Sequence, residues 1–95
     1  MQEKVMASGL PVRHRRLRFR SWHRGSREAD ILLGRFCDQH LSEMKEEDLE
    51  QFEALLEQPD PDIWNWVIGR QKIPADFDHT VMRRLKKYAT SLKIQ

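Results

Sequence analysis

Ala29, Leu32, Leu33, Phe36, Cys37 and His40 recur at i, i+3, i+4, i+7, i+8 and i+11, a spacing that places them on one continuous stripe of an α-helix. The same period returns downstream. Leu49, Phe52 and Leu56 mark a second stripe within residues 45–58, and Ile63, Trp64, Val67 and Ile68 fill a short segment after Asp60. Phe77, Val81, Leu85, Tyr88 and Leu92 follow at i, i+4, i+8, i+11 and i+15. The Arg-Leu-Arg-Phe-Arg alternation of residues 16–20 has the period of a strand, but nothing else in the chain offers it a pairing partner. Residues 13–23 are therefore expected to form a short basic helix. The expected fold is all-α, a compact five-helix bundle with short connections.

The breaks between stripes carry their own signals. Glu46, Glu47 and Asp48 supply negative charge where a helix dipole is positive, and Pro59 ends that helix. Asp60, Pro61 and Asp62 read as N-cap, N1 and N2 of the next helix, because Pro has no N–H to leave unpaired. Gly69 suits the left-handed residue that closes it, and Pro74 precedes the last helix, with Arg83, Arg84, Lys86 and Lys87 on the outer side. Gly34, inside a helix, costs about 1 kcal/mol relative to Ala and points to close approach of another backbone. Residues 1–11 contain Gly9 and Pro11 without apolar periodicity and are expected to be a mobile N-terminal tail, leaving residues 12–95 as a single helical domain.

A chain of 95 residues supports one small core, so a deep substrate cavity is not expected. With 39% apolar and 34% charged residues it has the composition of a globular domain rather than a disordered one. The single cysteine, Cys37, excludes an internal disulfide and a Cys-based zinc cluster. Cys37 and His40 stand at i, i+3, but His14, His23 and His79 are scattered, so no third metal ligand follows and no metal is expected. No Asp, His and Cys converge by spacing, and no Gly-rich phosphate loop follows a strand, so the chain is not expected to be an enzyme or to bind a cofactor stably. No apolar run approaches the roughly 20 residues of a membrane span, and the start of the chain has no secretory core. Residues 1–11 do not resemble a presequence, which favours a bacterial cytoplasm over a mitochondrial matrix.

The net charge is only +2, yet Arg13, Arg15, Arg16, Arg18, Arg20, Arg24 and Arg27 crowd one segment while residues 43–62 hold nine acidic side chains. Such a division orients a molecule toward a charged partner. The basic segment, with Phe19 and Trp22, has the ingredients of a small basic nucleic-acid-binding helical protein. The acidic stretch opposes that reading, and no known nucleic-acid motif appears. A plainer role for Leu17, Phe19 and Trp22 is to pin a charged helix to the core.

Between the basic helix and the first stripe lies Arg24-Gly25-Ser26-Arg27-Glu28. Gly25 permits either a backbone angle closed to other residues or close approach of another main chain, flanked by a guanidinium fork and a carboxylate. An ordinary interhelix turn, with Ser26 capping the next helix and Glu28 supporting its first turn, fits the same residues and is the commoner arrangement. Arg24-Gly25-x-x-Glu28 followed by Asp30, with Asp60-Pro61-Asp62-Ile63-Trp64-Asn65-Trp66 further on, resembles the FAD assembly factor family of succinate dehydrogenase over about residues 13–90. Ser26 and Ala29 stand where that family commonly has bulkier apolar residues. The resemblance implies a chaperone-like assembly factor that docks on the flavoprotein subunit of succinate dehydrogenase and promotes its autocatalytic covalent attachment of FAD. It implies that Arg24, Gly25 and Glu28 form the docking surface, with Arg27 and Asp30 as further candidates. The FAD would belong to the partner, and fumarate reductase is a second possible target. The segment containing Trp64 and Trp66 is expected to be mainly structural.

Overall fold

The computed structural model describes residues 11–92. Five α-helices carry it: α1 (Val12–Trp22), α2 (Arg27–His40), α3 (Glu46–Leu56), α4 (Asp60–Val67) and α5 (Thr80–Leu92), with short 3₁₀ turns at Leu41–Glu43 and Ala75–Phe77. Among the described residues there is no strand, so the all-α class expected from the periodicity is the class found. The tail expected over residues 1–11 lies, apart from Pro11, outside the described residues. The described residues pack as two units, divided between Ser42 and Glu43.

In the first unit α1 lies along α2. The α2 stripe is the buried one: Ala29, Leu32, Leu33, Phe36 and Cys37 are buried, together with Leu17 of α1 and Leu41. Ser21 is also fully buried, and its hydroxyl donates to the Leu17 carbonyl at 2.7 Å, which removes the cost of an orphan donor. Gly34 of α2 faces Trp22, and a Cβ at this position would collide with the indole ring carbons. The close approach expected at Gly34 is therefore made by a side chain, not a backbone. The ring is held there by a bond from its Nε1 to Asp38 Oδ2 at 3.2 Å, while Asp38 Oδ1 lies 3.0 Å from Arg18 Nε.

A second correction concerns Phe19. It does not pin α1 to the core, because it is 63% exposed. Successive helical residues turn by about 100°, so a residue two positions from the buried Leu17 points away from it. Burial pushes the Cys37 thiol up to about 11, against the opposing effect of its hydrogen bond with Ser21. The thiol is thus protonated and unreactive at neutral pH.

In the second unit α5 packs against α3 and α4. Leu49, Phe52, Leu55 and Leu56 of α3, Ile63, Trp66 and Val67 of α4, and Val81, Met82, Leu85, Tyr88 and Ala89 of α5 are buried. Helix α4 begins one residue earlier than expected, with Pro59 at the N-cap and Asp60 and Pro61 as its first two residues. The Pro59 carbonyl accepts from Asp62 and Ile63 at 3.0 and 3.1 Å, and Pro61 loses nothing at the second position because the first four N–H groups have no partner within a helix. Gly69 ends α4 at φ +79°, as expected, with Gly69 N–H donating to Trp66 and Arg70 N–H to Asn65, the Schellman arrangement. Phe77, expected to open the last helix, stands in the preceding 3₁₀ turn and stacks on Trp66 with ring centroids 5.2 Å apart. Arg84, expected on the outer side of that helix, is only half-exposed and reaches toward Asp48 at 3.9 Å.

Helix α5 starts on two side-chain acceptors. Gln51 Oε1 accepts from Val81 N–H at 3.2 Å, and His79 Nδ1 accepts from Met82 N–H at 3.1 Å. His79 can accept at Nδ1 only as neutral imidazole. Burial, reinforced by the nearby Arg83 charge, lowers its pKa below the usual histidine value. A group with a lowered folded pKa stabilises the fold above its unfolded pKa, and this contribution is lost as pH falls through the folded one. Lowering the pH from about 7.5 to about 5.5, across the usual histidine value of about 6.5, should reduce the denaturation midpoint. His79→Asn, which can cap without titrating, should make that reduction smaller; an unchanged pH response would remove His79 as its source.

Candidate functional site

The turn between α1 and α2 is built by its own polar groups. Helix α1 ends at Trp22, and His23 Nδ1 lies 2.7 Å from the Phe19 carbonyl oxygen. Gly25 follows at φ +105°, where a side chain would strain the backbone, although a Cβ would meet nothing within 4 Å. Its need for glycine is thus conformational, and the space above it is open. Ser26 is the N-cap of α2, its hydroxyl accepting from Ala29 N–H at 3.2 Å. Asp30 Oδ1 accepts from Arg24 N–H at 2.5 Å, tying the start of the turn back to the helix.

These bonds divide the sequence candidates into two groups. Asp30 is half-buried and holds the Arg24 backbone, so its visible work is to set the shape of the turn. Gly25, Arg27 and Glu28 are exposed, and Arg24 is half-buried. Glu28 sits in the first turn of α2, where its negative charge complements the helix dipole. The Ser26 cap expected of an ordinary interhelix turn is present, and the exposed surface expected of a docking site is present with it. The cap and the Asp30 bond fix the path of the backbone from which the exposed groups project.

Trp66, of the second sequence segment, is buried at 7% exposure and stacked on Phe77, whereas Trp64 is only half-buried. Phe19, expected to pin α1 to the core, instead stacks on His23 with centroids 4.0 Å apart and an 18° interplanar angle. The signal was available in the spacing of Val12, Arg15, Arg16, Phe19, Arg20 and His23, which share one helix face. Among the described residues no group of three His, Cys, Asp or Glu side chains is placed to hold a metal ion. Also among them, no helix is long and apolar enough to cross a membrane.

Fold and turn together define a small all-helical protein that presents a capped, charged turn to its surroundings. Residues 15–89 match the model of the family described as the flavinator of succinate dehydrogenase. The chain is 40% identical over 81 residues to the FAD assembly factor SdhE of Acetobacter pasteurianus, covering 85% of this chain and 74% of that protein. It is 34% identical to the mitochondrial succinate dehydrogenase assembly factor 2 of Dictyostelium discoideum, covering 78% of this chain and 52% of that one. The corresponding factor of Danio rerio is 36% identical, with 92% and 56% covered. The chain therefore spans about half the length of these two mitochondrial relatives, and it belongs to the succinate dehydrogenase assembly factor family.

Proposed function

We propose that this protein acts in a bacterial cytoplasm, where it binds the flavoprotein subunit of succinate dehydrogenase and favours the form in which that subunit attaches FAD to itself covalently. Membership of the flavinator family over residues 15–89, with Arg24-Gly25-x-x-Glu28 on an exposed turn, is the observation that carries this reading. In it, Gly25 leaves the surface bare for close approach, Glu28 accepts directional hydrogen bonds and Arg24 donates them; Arg27 adds charge. The factor supplies no nucleophile and holds no flavin of its own. A binding partner that prefers the attachment-ready form raises its population in proportion to that preference, so a tenfold preference makes a rare form about ten times more abundant.

The test is covalent flavin on the cognate flavoprotein subunit, read as fluorescence of the denatured band after expression with no factor, with the wild type, or with Glu28→Ala. The wild type should raise the signal. Glu28→Ala should lower it again, because one charge-assisted hydrogen bond of about 1.5–3 kcal/mol corresponds to roughly a ten- to hundredfold loss of affinity. Equal fluorescence with and without the wild type, both proteins being folded, would reject the function. The same assay on a fumarate reductase flavoprotein tests the second target.

A further inference from the structure

Helix α1 carries two stripes with opposite fates. His14, Leu17, Arg18, Ser21 and Trp22 form the one turned to α2: Leu17 and Ser21 are buried, and Arg18 and Trp22 both engage Asp38. Val12, Arg15, Arg16, Phe19 and Arg20 form the other and line a shallow open groove. Phe19 is the one large apolar side chain left exposed among the described residues, yet it is held by its stack on His23. A fixed aromatic ring in water, fenced by arginines, is a prepared anchor rather than a solvated face. Among the described residues no carboxylate pairs with Arg15, Arg16 or Arg20. The stripe runs into His23, next to Arg24 and Gly25, so it continues the surface of the turn along the helix.

We propose that this face of α1 is a second contact surface for the flavoprotein subunit, taking an acidic segment that inserts an apolar side chain beside Phe19. The three guanidinium groups select carboxylates, and the groove bordered by Val12 and Phe19 selects an apolar tip. The inference rests on the function proposed above and extends its binding surface beyond the turn.

The test compares wild type, Phe19→Ala, the double variant Arg16→Glu/Arg20→Glu, and Glu28→Ala for binding to the purified flavoprotein subunit by calorimetry at low and high salt, with circular dichroism of each. Phe19→Ala should keep its helices, since the ring supports no core, and should weaken binding about tenfold. The charge reversal should weaken it at least about tenfold at low salt and flatten the salt dependence. Wild-type affinity and salt dependence in both variants, with Glu28→Ala impaired, would overturn the α1 surface and leave the proposed function standing. Absence of wild-type binding would overturn both. Unchanged subunit binding together with tight, salt-sensitive binding of a single-stranded oligonucleotide that these substitutions abolish would assign the face to nucleic acid instead.

Discussion

Trp66→Ala should lower the stability of the protein by about 3–5 kcal/mol, the usual range for deleting a buried large aromatic side chain. The loss is a large share of the roughly 5–15 kcal/mol that holds a small domain together. Three features make the site sensitive. Trp66 is only 7% exposed, it stacks on Phe77 at 5.2 Å, and α4 has eight residues, too few to be stable without packing. Removing the indole leaves Phe77 only its looser edge contact with His79, at 6.3 Å between centroids, and so loosens the 3₁₀ turn that leads into α5. Urea denaturation followed by circular dichroism measures the effect; if Trp66→Ala is unfolded from the start, Trp66→Phe should fold with an intermediate midpoint. An unchanged midpoint would refute the structural role, and a stable Trp66→Ala variant that no longer binds the flavoprotein subunit would move Trp66 into the interface.

The helices were legible in the sequence because a period of 3.6 and the residues that interrupt it are local properties. The stripe of Ala29, Leu32, Leu33, Phe36 and Cys37 is buried as read, and Gly69 adopts the left-handed angle its position required. Gly34 shows where local information ends. Its cost announces a close neighbour, but only the path of the chain tells that this neighbour is the indole of Trp22 and not a backbone. Phe19 was misread for a different reason: arginines surround both faces of α1, so composition did not mark the inner one, although Leu17 and Phe19 cannot share a face. At the turn, the residue types disclosed a charged, glycine-containing motif. That Ser26 and Asp30 are engaged by Ala29 and Arg24 N–H groups, while Arg27 and Glu28 face outward, depends on side-chain positions that spacing does not specify.

Gly34→Leu should destabilise the protein by about 3 kcal/mol, the upper part of the range for overpacking a filled site. Glycine to alanine alone improves intrinsic helix propensity by about 1 kcal/mol, so a loss of stability has to come from the collision with Trp22 and not from the helix itself. The indole cannot turn aside without surrendering its bond to Asp38, which also holds Arg18. Trp22→Ala alone should be destabilising as well, yet the double variant should be more stable than the sum of the two losses predicts, because the leucine then occupies the space the indole has left. Coupling of about 0.5–3 kcal/mol is usual for residues in direct contact. Strict additivity in denaturation measurements, or a Gly34→Leu variant as stable as the wild type, would refute the contact. The same pair fixes how α1 leads into Arg24 and Gly25, so Gly34→Leu should also reduce covalent flavin on the flavoprotein subunit at temperatures where circular dichroism still reports folded helices. A folded variant with full flavin attachment would separate the Trp22 packing from the shape of the turn.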